Sequence, residues 1–203
     1  MPKISAATVA EHVQQQEQAI LDAAARLFAE RGVAGTDLGD IAKAVGLARP
    51  SLYRYFPDKD HILLLWFQRE MEPAIVRSEE IVAGTGTPDE RLSAWLAFQL
   101  EYVTDPAHQL APRLGQEVGA TSAEVQEAIA SDHARLYATL HVLVDEALAD
   151  QTRPTGAPRD ADVVVALLIG LVRAASQAVT GGADREVVGR ELDTAARAVL
   201  APR

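Results

Sequence analysis

Apolar residues recur at intervals of three and four along most of the chain, and strand-like alternation is absent, so the pattern predicts an all-α protein. The first stripe, Ile20, Ala24, Leu27 and Phe28, ends at Arg31-Gly32, a cation in a last turn followed by a glycine suited to the C′ position. Thr36 is expected to cap a short helix from Leu38 to Val45, which Gly46 ends. A third helix, about Pro50 to Tyr55, follows after a few residues. Pro57 lies just past its end, and Asp58 is positioned to cap a helix from Lys59 to about Val82. Beyond "AGTGTP", Thr87-Pro88-Asp89-Glu90 reads as a capping box with proline in the first turn, opening a helix that carries Leu92, Trp95, Leu96, Gln99 and Tyr102. Asp105-Pro106 starts a short element limited by Pro112, and Thr121 with Glu124 reads as a second capping box before a long helix to about Asp150. After the Pro/Gly loop "QTRPTGAPRD", Ala161–Thr180 and Arg185–Leu200 are the last two helices, giving about nine in all and no internal repeat.

Two short helices joined by a glycine-containing turn, with a longer helix before them, predict a helix-turn-helix. Ile41, Val45, Leu47, Leu52 and Phe56 are its expected core, joined by Leu27 and Phe28 from the first helix. The second helix of such a pair enters the major groove by its amino-terminal end. Here that end carries Arg49, Pro50 and Ser51, and an arginine can donate a bidentate pair to a guanine edge. Tyr53, Tyr55 and Lys59 are donors suited to phosphates, which fix register without reading sequence.

Charge bears directly on this reading, because the whole chain is acidic, with net charge −10 and a pI near 4.9. The acidity is uneven. Residues 1–60 hold seven Lys/Arg against eight Asp/Glu, net −1, whereas residues 61–203 hold twelve against twenty-one, net −9. A near-neutral amino-terminal part with a local cationic patch can meet phosphate even though the whole chain is acidic.

The segment "ILDAAARLFAERGVAGTDLGDIAKAVGLARPSLYRYFPDKDHIL", Ile20 to Leu63, closely resembles the DNA-binding domain of the TetR family of transcriptional regulators. The resemblance lies in the Ile-x-x-Ala-Ala-x-x-Leu-Phe helix, the glycine after it, Asp-Ile-Ala, the glycine turn, Leu-Tyr-x-Tyr-Phe and the following lysine. It implies an amino-terminal helix-turn-helix domain, residues 1–58, followed by an all-α ligand-binding and dimerisation domain, residues 59–203. It further implies that Thr36, Arg49, Pro50, Ser51, Tyr53, Arg54, Tyr55 and Lys59 contact DNA, with Thr36 on a phosphate. Three residues depart from the family's usual pattern: Asp37 stands where a second threonine is common, Ala48 where serine is, and Pro50 where glycine is.

Ala161–Thr180 is apolar nearly all round, which predicts burial on more than one side. Its longest apolar run, Val163 to Val172, is ten residues, short of the roughly 20 a membrane span needs, so it is expected to be a bundle helix. Together with the last helix it forms the expected two-fold interface, through Leu167, Gly170, Leu171, Ala174, Ala178, Val188, Leu192 and Val199. A reader of palindromes needs paired recognition helices about one DNA turn apart.

Aromatic and polar residues in the middle of the chain, Phe67, Met71, Trp95, Gln99, Tyr102, His108, Tyr137 and His141, are the expected lining of a small-molecule site, although ordinary core packing explains each of them equally well. The net −9 of this part hints at a neutral or cationic ligand, and a solvated acidic surface explains it equally well. His133 and His141 lie eight apart on one helix, which is no metal spacing, and no metal or cofactor is expected. There is no Gly-rich phosphate loop, Gly-x-Ser-x-Gly, HExxH or cysteine, so no enzyme is expected. The absence of cysteine and of a visible secretory signal in "MPKISAATVAEH" fits a cytoplasmic protein. The resulting expectation is a homodimeric regulator, a repressor released from a palindromic operator on double-stranded DNA by a small molecule. The alternatives are a helical dimer acting through protein partners and a regulator without a small-molecule effector.

Overall fold

A computed structural model of the chain describes residues 6–115, 117, 119, 121–149 and 159–201. Among them there are nine α-helices, one 3₁₀ turn and no strand: α1 (Ala6–Arg31), α2 (Leu38–Ala44), α3 (Arg49–Leu52), α4 (Lys59–Ala83), α5 (Pro88–Thr104), the turn Pro106–His108, α6 (Leu110–Gly115), α7 (Ala123–Ala149), α8 (Ala161–Thr180) and α9 (Arg185–Leu200). The all-α expectation holds. Most of the "QTRPTGAPRD" loop, and the first five residues of the stretch read for a secretory signal, lie outside the described residues.

Capping chemistry explains most of the boundaries. Thr87 and Glu90 close a reciprocal capping box at the start of α5, and Asp160 and Asp184 cap α8 and α9. Two caps fall one residue away from the expected position. Asp37, not Thr36, caps α2, because Thr36 is buried and its hydroxyl donates to the Gly32 carbonyl at 2.9 Å. Ser122, not Thr121, starts α7, its oxygen accepting from the Val125 N–H at 3.4 Å. Pro112 does not end its element; α6 runs through it.

The helices form two compact units, and α4 contributes to both, with Lys59–Glu70 in the first and Met71–Ala83 in the second. The first unit comprises Met1–Glu70 and Leu110–Ala130. Its core is built from Ile20, Phe28, Ile41, Leu52, Phe56, Ile62 and Leu63, joined by Leu114, Val125 and Ile129 from the later segment. Polar contacts bind that segment to the same unit. Glu117 accepts from the Val33 N–H at 2.7 Å, and Asp60 accepts from the Ser122 N–H at 3.2 Å.

The second unit comprises Met71–Gln109 and Ser131–Arg203, with a core of Trp95, Leu96, Leu140, Val144, Val165 and Leu168. In it α8 packs on α9 and α5. Over 18 residues α8 reaches a mean hydropathy of 1.9, so by length and composition it passes as a membrane span despite its short uninterrupted run. It is not buried all round: Val164, Val165, Leu168 and Ala175 face inward, while Val163 and Leu167 are more than half exposed.

Candidate nucleic-acid interface

The helix pair is arranged by a few local choices. α2 is capped by Asp37 and ends at Val45; Gly46 then takes φ +70°, a left-handed conformation that glycine adopts without steric cost. The Leu47 N–H reaches back to the Ala42 carbonyl at 2.9 Å, completing the turn. α3 follows with Arg49 and Pro50 in its first turn, where the missing N–H of proline costs nothing. Leu52 and Phe56 point into the core and fix which side of α3 faces outward.

That outward side carries Arg49, Pro50, Tyr53 and Arg54, all exposed, with Ser51 and Tyr55 half-buried beside them. The arrangement offers a cationic, aromatic edge able to donate to phosphates or base edges. Two of the expected DNA-facing residues are placed differently. Thr36 is 2% exposed and its hydroxyl is held by Gly32, so it presents no free donor on the surface. Lys59 is half-buried, and its ammonium donates to the carbonyls of Val33 at 2.7 Å and Thr36 at 3.3 Å.

Val33 is therefore held on both sides, its N–H by the Glu117 carboxylate and its C=O by the Lys59 ammonium. These bonds position the chain between α1 and α2. The sequence gives no local signal for Glu117, which acts across 84 residues on a backbone group and belongs to no motif. Replacing Lys59 with Met removes the ammonium and keeps most of the stem. Hydrogen bonds to charged groups contribute roughly 1.5–3 kcal/mol. Lys59→Met is therefore expected to lower stability by about that much and to weaken binding to all duplexes alike. Thermal melts and equilibrium titration with two unrelated duplexes check this.

The residues expected to line a ligand site do not form one group. Phe67 is buried in the core of the first unit, edge-on to Trp66 at 5.1 Å. In the second unit, Met71 is buried with Ile75 and Leu136. The Trp95 ring N–H donates to Thr139 Oγ1 at 2.9 Å, and Gln99 Nε2 donates to Ser78 Oγ at 3.1 Å, so the polar atoms that would fix a ligand are already engaged. Tyr102 stacks on His108 with ring centres 4.1 Å apart, and His108 Nδ1 is buried with no hydrogen-bond partner among the described residues. Tyr137 is half-buried beside His133, and His141 lies 3.7 Å from the Asp162 carboxylate of α8.

On α8, Leu167, Gly170, Ala174 and Ala178 are exposed along one face, continued by Val163. Leu171, Val188 and Val199 are half-buried against the unit's own core. Leu192 is corrected: it is 5% exposed, because the apolar side of α9 turns toward α5 and α8 of the same chain. Val187 of α9, which the sequence reading also paired with α8, is 48% exposed.

Residues 20–65 match the model for bacterial regulatory proteins of the tetR family. A 112-residue segment, 55% of this chain, is 31% identical to the transcriptional regulator EthR of Mycobacterium tuberculosis, covering 52% of that protein; the chain thus matches about half the length of this relative. Two solved structures share the fold over nine-tenths of the chain. A TetR/AcrR-family regulator from Thermobifida fusca superposes with a TM-score of 0.69 at 22% identity, covering 92% of this chain and 97% of that one. AibR, solved with isovaleryl coenzyme A and operator DNA, superposes with a TM-score of 0.70 at 22% identity, covering 93% and 100%. Residues 20–65 thus match the tetR family of bacterial regulatory proteins, and the described helices follow the fold of solved TetR/AcrR-family structures.

Proposed function

We propose that this chain is a homodimeric, DNA-binding transcriptional regulator of the cytoplasm, a repressor that leaves a palindromic operator when a small molecule binds. The observation that carries the reading is the outward edge of α3 and the turn that follows it, where Arg49, Pro50, Tyr53 and Arg54 stand exposed and Leu52 and Phe56 anchor the opposite side. Residues 1–58 form the proposed DNA-binding domain, and residues 59–203 the proposed ligand-binding and dimerisation domain. No enzymatic step is part of the reading. Arg49, Pro50 and Ser51 are assigned to base edges, and Tyr53, Arg54 and Tyr55 to phosphates.

A ligand held near Tyr102 and His108 would act through α4 and α7, which both have residues in the two units, α7 with Ala123–Ala130 in the first and Ser131–Ala149 in the second. A coupling of about 1–3 kcal/mol between ligand and operator gives roughly 5- to 150-fold release. AibR was solved with an acyl-coenzyme A, which makes short- and long-chain acyl-coenzyme A thioesters the first effectors to try. The test is footprinting on DNA flanking the chain's own gene, with and without these thioesters. A symmetric protected stretch, lost at saturating thioester, is the expected result. Protection that no thioester changes leaves a regulator with another effector or none. No protection anywhere, with a stable dimer in solution, favours a helical dimer acting through protein partners.

A further inference from the structure

We infer that Asp37 is a specificity-determining residue: its carboxylate, fixed near Arg49 across Gly39, repels phosphate and so favours a neutral base edge with two acceptors as the partner of Arg49. The inference rests on the proposed reading of the chain as a DNA-binding regulator. It starts from how firmly the carboxylate is placed. Asp37 Oδ1 accepts from the Asp40 N–H at 2.9 Å, and the Asp37 N–H reaches Asp40 Oδ2 at 3.4 Å, so both ends of the residue are held at the start of α2. Gly39 locates its neighbour. A β-carbon there would lie 3.0 Å from Asp37 Oδ1 and 4.0 Å from Arg49 Cδ, so the carboxylate and the arginine stem flank the same glycine.

The charge is permanent near neutral pH. Hydrogen bonds from the backbone of Asp40 and Gly39 hold the carboxyl below its usual range, slight desolvation opposes them, and the Arg49 and Lys59 charges lower it further. Asp40, the other anion of this face, already has a cation, Arg31, at 3.7 Å. Asp37 therefore acts on Arg49 and on whatever Arg49 approaches.

Two effects follow for DNA. The N–H of Asp40, a free donor in an uncapped helix, is occupied by this carboxylate and is closed to an approaching phosphate. In addition, a phosphate that draws Arg49 brings one anion against another, whereas a guanine edge supplies two neutral acceptors and no charge. Sequence-independent binding is weakened more than binding to the preferred site. Specificity rises although no new contact is made.

The experiment compares Asp37→Asn and Asp37→Thr with the unaltered protein, since asparagine and threonine both cap helices well and carry no charge. One probe is a duplex recovered by the unaltered protein from a randomised pool; the other is its shuffled counterpart. Both variants are expected to bind the shuffled duplex roughly three- to tenfold more tightly, the size of one repulsion removed across several ångströms of water. The recovered duplex should gain less, and the log–log salt slope on the shuffled duplex should steepen by about one. A preference ratio equal to that of the unaltered protein in both variants, or equal weakening on both duplexes, overturns the role of Asp37. An unaltered protein that recovers no preferred duplex overturns the regulatory reading itself.

Discussion

Replacing Arg49 with Ala is expected to reduce discrimination between the operator and an unrelated duplex by roughly 5- to 150-fold, the measure of a lost bidentate base contact of about 1–3 kcal/mol. Binding to the unrelated duplex should fall much less. The structural basis is the asymmetry of α3, only four residues long, which buries Leu52 and leaves Arg49 exposed in its first turn. Truncation there removes no core packing, so melting temperature should be unchanged and the loss can be read as recognition. Arg49→Lys sharpens the test. Lysine retains the charge without the planar fork, so it should restore sequence-independent affinity and leave discrimination low. Equal losses on both duplexes in Arg49→Ala would instead assign the arginine to the phosphate backbone.

Replacing Leu167 with Asp is expected to convert the proposed dimer to single chains that remain folded. Leu167 is 51% exposed within one chain, so a carboxylate there is solvated unless a second copy covers it. Covered, it becomes an unpaired buried charge on each side of a two-fold axis, which an interface does not accommodate. A single chain binds only a half-site. Losing the linked second half costs roughly 10²- to 10⁴-fold in operator affinity. Sedimentation and circular dichroism check mass and fold separately. Leu192→Asp should behave in the opposite order and lose helicity first, because Leu192 lies in the core of its own chain. A dimer that survives Leu167→Asp would move the interface off this face of α8.

The contrast between these two leucines shows where sequence reading worked and where it stopped. The helix-turn-helix was legible because its determinants are local: a glycine that takes positive φ at Gly46, proline in a first turn, and Leu52 and Phe56 at helical spacing. Both missed caps were one-residue errors between adjacent residues able to cap. Burial decided them at Thr36, whose hydroxyl turned back to Gly32. α8 was harder. A helix apolar on every side does not reveal from its sequence which side its own bundle covers, and α9 was read with too much of its inner face turned outward. The proposed ligand residues were least legible, since buried aromatic and polar side chains look alike in sequence whether they meet a ligand or, as Trp95 and Gln99 do with Thr139 and Ser78, their neighbours.

The double hold on Val33 bears on how such regulators can be recombined. A recognition head defined by the family motif invites excision and transfer to another body. Here the head's own interior is completed by Leu114, Val125 and Ile129, and its α1–α2 connection by Glu117. A fragment cut after Glu70 takes none of these with it. It would expose an apolar surface and release the Val33 amide to solvent. Swapping operator specificity between relatives is therefore better done by exchanging the few outward residues of α3 than by grafting the head, because this head is not a portable part.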